Sequence, residues 1–251
     1  MQTLGWIGLG NMGTPMAKNL LQAGFKVNVY NRSPEKARNL VDSGAVKLQS
    51  PQEVVRQSDI TFLMLSNGAA VKEVLTAENG VTKGLTPGKV IIDMSTISPV
   101  DSLAFTGLVA EKGGVYVDAP VSGSVGAAEA AQLIILAGGE EKDIAAYQPC
   151  FQSLGKKTIA FGATGNGSSA KLAINLLLGI TGQAVAETLL FAEKSGLDRE
   201  TVMEMISNSG MNTGWFQAKK EMFRKEQFPS AFMLELMSKD LGLIGAEAER
   251  L

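Results

Sequence analysis

The sequence predicts an α/β chain: a doubly wound, mainly parallel sheet followed by an all-α region that is joined to it through one long helix. Three observations carry this expectation. Short β-rich runs alternate with helical patterns through the first half, strand signals stop near Gly162, and a long apolar helical pattern begins directly afterwards. The expected division is residues 1–164 for the sheet and 165–251 for the helices.

Taken in order, the strand candidates are Thr3–Gly8, Lys26–Tyr30, Ile60–Leu65, Val90–Asp93, Val115–Asp118, Leu133–Ala137 and Thr158–Phe161. Between them lie amphipathic segments, Met12–Ala23, Pro34–Asp42 and Pro99–Lys112. Ser33–Pro34 and Ser98–Pro99 each place an N-cap residue before a proline at the first helical position. Strand, helix, strand at this spacing makes βαβ units. The stretch Leu172–Ala192 is long enough to span a membrane, but it carries Asn175, Gln183, Glu187 and two threonines and has no basic flank. It is expected instead to be a helix buried between domains or subunits, with "SGLD" at Ser195–Asp198 as its C-cap and the start of the next helix. The last residues, "LGLIGAEAERL", stop in mid-pattern, so the helical region reads as unfinished.

Composition narrows the chemistry. The chain has 251 residues, 45% apolar and 19% charged, with a net charge of −2 and no basic cluster. Neither nucleic acid nor an anionic membrane is expected as a partner. Cys150 is the only cysteine, which excludes an intrachain disulfide, and no basic leader precedes the first strand, so a cytoplasmic location is the default. There is no histidine at all. A zinc site of the usual nitrogen and sulfur type, a Ser-His-Asp triad and a histidine general acid are therefore excluded, and no metal site is expected.

The hexapeptide Gly8, Leu9, Gly10, Asn11, Met12, Gly13 has the G-x-G-x-x-G spacing, directly after a strand and opening a helix. Gly8 allows the tight turn, Gly10 lets the backbone approach a pyrophosphate, and Gly13 permits close helix–strand packing. The free N–H groups of the helix start then face the phosphates. In a βαβ unit this points to a dinucleotide, and residues 1–164 to a Rossmann domain. The second strand ends in Asn31, Arg32 and Ser33, where an NAD site would carry Asp or Glu. A guanidinium beside a hydroxyl suits a 2′-phosphate, so NADP(H) is favoured over the plainer reading of a solvated turn arginine.

A nicotinamide enzyme must move a proton at the carbonyl or alcohol oxygen. The Tyr-x-x-x-Lys pair of short-chain reductases is absent, because Pro34, Pro120 and Phe151 follow Tyr30, Tyr116 and Tyr147 at that spacing. Lysine remains. Lys171 and Asn175 stand at i and i+4 on one face of the most apolar helix. Desolvation would lower the lysine pKa toward that of a working general acid. The competing reading, a charge that snorkels out of the first turns, stays open at this point.

The motifs "GWIGLGNMG", "DMSTISP" at Asp93–Pro99, "DAPVSGSVGA" at Asp118–Ala127, "GNGSSAKLAIN" at Gly165–Asn175 and "KDL" at Lys239–Leu241 occur in order, and over essentially its whole length the chain resembles the β-hydroxyacid dehydrogenase family. The resemblance implies hydride transfer to a carbonyl carbon with Lys171 as general acid and Asn175 hydrogen-bonding substrate. It also implies a substrate-carboxylate loop at Ser122, Gly123 and Ser124, with Thr96 near the nicotinamide. Met64 and Leu65 would line the adenosine side, and Lys239 would close over the cofactor from the helical region. The family loop usually reads Ser-Gly-Gly; Ser124 in third place, with "QLIILA" at Gln132–Ala137 and the Asn-Arg turn, looks like the glyoxylate and succinic semialdehyde reductase subgroup. The expected substrate is accordingly a small aldehyde acid, with 3-hydroxyisobutyrate or tartronate semialdehyde enzymes as the alternative and a catalytically silent nucleotide-binding module as the alternative of another class. Family members continue for further helices, so a homo-oligomer, dimer or tetramer, is expected when the helical region is complete.

Overall fold

The computed structural model describes residues 2–139, 141–229 and 232–251. The first half alternates as expected: β1 (Thr3–Ile7), α1 (Gly13–Gln22), β2 (Lys26–Tyr30), a 3-10 turn (Pro34–Ala37), α2 (Arg38–Asp42), β3 (Val46–Lys47), α3 (Pro51–Arg56), β4 (Ile60–Leu63), α4 (Gly68–Thr76), α5 (Val81–Gly84), β5 (Val90–Asp93), α6 (Pro99–Ala110) and β6 (Val115–Asp118). There follow β7 (Val121–Ser122), α7 (Val125–Glu129), β8 (Leu133–Ala137), α8 (Glu141–Ala146), α9 (Gln148–Gln152) and β9 (Gly155–Ala160). Beyond β9 the described elements are all helices: α10 (Asn166–Lys194), α11 (Arg199–Ser207), α12 (Gly214–Lys225) and α13 (Leu234–Arg250).

The main sheet has the order β3-β2-β1-β4-β5-β6, and every pair in it is parallel. The order reverses between β1 and β4, which opens a crevice beyond their C-terminal ends, where ligands bind in doubly wound folds. The central strands are buried on both faces, as parallel strands covered by helices must be. Phe62, Ile92 and Val117 enter one core with Trp6 and Leu20; their neighbours Leu63, Ile91 and Tyr116 enter the other with Val71 and Phe105. The helical region has a small core of its own around Leu189, Met203, Ile206 and Phe216.

Four details add to the expected architecture or differ from it. The sheet is not single: β7, β8 and β9 form a second sheet, in which β7 runs antiparallel to β8. The strands β3 and β7 have two residues each, too short for any periodicity to reveal them. Ser98 caps α6 through the Asp101 N–H (3.0 Å), but Ser33 makes no capping bond, and the segment after it is a 3-10 turn running into α2. Finally, this chain by itself leaves most of α10 uncovered: 11% of its most apolar 18-residue window is buried, and Leu177, Ile180 and Phe191 stand exposed, so of the two expected settings only burial against another subunit is left for that face. The helix is long and apolar enough to cross a membrane by length and composition alone.

Candidate active site

At the end of β1 the chain turns sharply into α1. Gly8 has φ +103°, and a Cβ there would lie 2.2 Å from the Met64 carbonyl oxygen; a Cβ on Gly13 would lie 2.0 Å from the Gly8 carbonyl oxygen. Both glycines are thus required by packing. The buried Trp6 indole N–H donates to the Gly8 carbonyl (3.0 Å), fixing the same turn. Gly10 differs: a Cβ on it would meet nothing within 4 Å, so its bareness serves the open crevice and not the fold. The first turn of α1 has neither a side-chain cap nor an acidic residue, which leaves its N-terminus free for an anion.

A cleft of about 550 Å³ runs from this turn to the end of β2, bordered by Gly8, Leu9, Gly10, Asn31, Arg32 and Ser33. The Asn31 side chain is engaged with backbone: its Oδ1 accepts from Leu9 N–H (2.8 Å) and its Nδ2 donates to the Ser33 carbonyl (3.0 Å). It therefore braces the loop against the turn. Arg32 is 87% exposed and only loosely paired with Glu73 at 3.9 Å, a contact worth little in water. Ser33, having no capping role, faces the same cleft, and so does Lys36, which sequence reasoning missed. Two cations and a hydroxyl thus border this end of the cleft.

The wall formed by Met64, Leu65 and Ser66, just beyond β4, borders both this cleft and a smaller one of about 150 Å³. Leu65 N–H donates to Ser95 Oγ (2.9 Å); Ser95 N–H donates to Asp93 Oδ1 (2.9 Å), and Tyr116 O–H donates to Asp93 Oδ2 (2.8 Å). Asp93 is buried, and desolvation pushes its carboxyl up to about 6 against the pull of these donors.

The smaller cleft gathers residues distant in sequence: Asn11 and Met12 from the glycine turn, Thr96 beyond β5, Gly123 and Ser124, Lys171 of α10, and Lys239 and Asp240 of α13. Gly123 has φ +147°, and a Cβ on it would lie 2.7 Å from Leu133 Cδ2. Ser124 begins α7 without using its hydroxyl as a cap, leaving that group to the cleft. Among the described residues Lys171 makes no hydrogen bond or ion pair. Its pKa falls from 10.5 to about 8: burial is the largest cause, Asp240 pulls it up, and Lys239 pushes it down. Lys239 Nζ donates to the Thr96 carbonyl (2.7 Å), tying α13 to the sheet.

Not every expected residue borders the cleft. Asn175 is buried behind it, its Nδ2 donating to Asp240 Oδ2 (2.6 Å), and Ser122 lies in β7 paired with Ile134. The residue that sequence reasoning left open is Asp240. It is 1% exposed, with Oδ1 2.9 Å from Lys239 Nζ but outside hydrogen-bonding geometry, a buried oxygen without a hydrogen bond. Phe232 and Met233 also border the cleft, and their segment before α13 gave no motif to read.

Comparison with known proteins agrees with this geometry. Residues 3–162 match the NAD binding domain of 6-phosphogluconate dehydrogenase, and residues 165–251 match the NAD-binding family of NADP-dependent 3-hydroxyisobutyrate dehydrogenase. The chain is 39% identical over 240 residues to glyoxylate/succinic semialdehyde reductase 1 of Arabidopsis thaliana, covering 96% of this chain and 83% of that one. It is also 39% identical over 248 residues to 2-hydroxy-3-oxopropionate reductase of Escherichia coli, covering 99% and 85%. Among solved structures, the 3-hydroxyisobutyrate dehydrogenase of Mycobacterium tuberculosis with L-serine superposes with a TM-score of 0.91 at 32% identity, over 100% of this chain and 87% of that one. The chain is thus a member of the β-hydroxyacid dehydrogenase family, an NAD(P)-dependent oxidoreductase.

Proposed function

We propose that the protein reduces small aldehyde acids, glyoxylate and succinic semialdehyde foremost, at the expense of NADPH. Residues 1–164 would bind the cofactor and 165–251 would complete the substrate site. The observation that carries this reading is Lys171: a desolvated amine with no hydrogen bond or ion pair among the described residues, bordering the smaller cleft together with Gly123 and Ser124.

Arg32, Ser33 and Lys36 would hold the 2′-phosphate of NADPH and the start of α1 its pyrophosphate in the larger cleft, and the cofactor would supply the hydride that the carbonyl carbon takes up. Lys171 Nζ gives the carbonyl oxygen its proton as negative charge grows there, and regains one from solvent. With a pKa near 8 the amine is largely charged at neutral pH yet gives up its proton readily. Gly123 and Ser124 hold the substrate carboxylate through backbone N–H and hydroxyl, which turns the aldehyde toward Lys171. Asn175 acts through Asp240, holding that carboxylate beside the amine. The exposed apolar side of α10 supports a homo-oligomer, which light scattering on the purified protein would measure.

A panel of NADPH-oxidation assays tests the reading, using glyoxylate, succinic semialdehyde, tartronate semialdehyde and methylmalonate semialdehyde. The highest kcat/KM is expected with one of the first two. Preference for tartronate semialdehyde would favour a second reading, supported by the equal identity to the 2-hydroxy-3-oxopropionate reductase. No turnover with any of the four would leave a nucleotide-binding module without catalysis.

A further inference from the structure

The long helix α10 carries Lys171, yet its N-cap residue, Gly165 at φ +91°, supplies no side-chain cap. Other helices here are capped locally, by Ser50, Asn67, Ser98, Asp198 and Thr213. For α10 the cap comes from another element. Asp118, at the end of β6, accepts Gly165 N–H on Oδ1 (2.9 Å) and Ser168 N–H on Oδ2 (2.7 Å). The carboxylate is 1% exposed. Burial pushes its pKa up and the two N–H groups pull it back.

The joint is tight. A Cβ on Gly167 would lie 2.4 Å from the Leu136 carbonyl oxygen, and one on Gly138 would lie 2.5 Å from Asp118 Oδ1. Ser168 is held a second time, its Oγ 2.8 Å from Ser102 Oγ of α6. Lys171 and Leu172 follow at i+3 and i+4 from Ser168, on the same helical face. The position of the helix start thus sets where the amine stands.

We propose that Asp118 is a positioning residue for the reaction: it fixes the axial placement of α10, and with it Lys171, against the sheet that carries the cofactor. Its negative charge also offsets the positive end of the α10 dipole, which otherwise disfavours an ammonium in the first turns. The charged groups facing Lys171 are Asp240 and Lys239 of α13; Asp118 acts from the helix start, and Asp93 in turn interacts with Asp118. This inference rests on the reading of Lys171 as proton donor.

Asp118→Asn tests it, because the amide keeps the shape but leaves one of the two N–H groups without an acceptor. The expected result is a fall in kcat of roughly 10-fold to 100-fold, the scale of an ångström-level misplacement. NADPH affinity should stay within about twofold, since the cofactor cleft is untouched. The alkaline limb of kcat should move to lower pH, by up to about one unit. Wild-type kcat and an unmoved limb would overturn the proposal, as would a loss of activity fully explained by fewer active sites at unchanged pH profile. If Asp118→Asn does not fold, Ser168→Ala removes the Ser102 tether while keeping the backbone N–H. It should lower kcat several-fold at unchanged NADPH affinity, and wild-type kcat there would overturn the proposal. Lys171→Ala run alongside separates the two ideas. An active Lys171→Ala enzyme removes the donor reading itself, whereas an inactive one beside a wild-type-like Asp118→Asn removes only the positioning role.

Discussion

Replacing Lys171 by methionine should make the unliganded protein more stable while ending turnover. Among the described residues the amine has no hydrogen bond or ion pair, and its pKa falls from 10.5 to about 8. That difference means the fold disfavours the charged form by about 3 kcal/mol, an upper figure because the side chain is only partly buried. Allowing for screening through the cleft leaves about 1–2 kcal/mol at pH 7. The unfolded chain holds its proton up to 10.5, while the folded one releases it from about 8. Between these values the unfolded state binds more protons, so wild-type stability rises with pH; below about 8 the whole penalty is present, and above 10.5 it is gone. Methionine keeps the length and the apolar stem and removes the charge, and Asp240 keeps its contact with Lys239. The variant should melt roughly 2–8 °C above wild type at pH 7, given about 2–4 °C per kcal/mol for a chain of this size. The gap should close as pH approaches 10.5. Calorimetry at both pH values measures this, and an NADPH-oxidation assay should show a loss of at least about 100-fold. A variant less stable than wild type at pH 7, or a gap independent of pH, would refute the reasoning.

Other perturbations separate the remaining roles. Arg32→Ala should weaken NADPH about 10-fold to 100-fold, the worth of one charge-assisted phosphate contact, and barely change NADH; equal losses for both would remove the 2′-phosphate role. Gly10→Ala should leave the urea midpoint close to wild type, because its Cβ meets nothing within 4 Å, but abolish NADPH fluorescence enhancement. Gly8→Ala should instead destabilise the fold by several kcal/mol, since its Cβ would lie 2.2 Å from a backbone oxygen at φ +103°. Asp93→Asn should raise the urea midpoint at pH 8 and leave it unchanged near pH 4. The folded pKa of about 6 exceeds 3.8, so the stability this group contributes is full below 3.8 and lost as pH rises through 6. A lower midpoint at pH 8 would count against the burial penalty.

How far the sequence could be read followed from the range of each interaction. The parallel strands were legible because burial on both faces leaves continuous apolar runs such as Ile60–Leu63 and Val90–Asp93. The glycine turn and Lys171 were legible because spacing and the absence of histidine are local or global properties of the text. The short strands β3 and β7 were not, because two residues show no period. Nor was the partner of Asn175, since Asp240 lies 65 residues away and only folding brings the two amide and carboxylate groups together. Ser33 misled for a related reason: its Ser-Pro pair matches that of Ser98, but the cap bond depends on the turn that follows.

The wall of Met64, Leu65 and Ser66 borders both clefts, and it is held from behind by Ser95, Asp93 and Tyr116. Two ligands that press on one partition are thermodynamically linked. Whatever factor the bound nucleotide adds to substrate affinity, the substrate must return to the nucleotide, in either order of addition. Titrating each ligand in the presence of the other measures that factor twice, and its size says how far the partition yields. An order of binding seen in kinetics would then describe access to the clefts, and the shared wall would set how tightly the ternary complex holds.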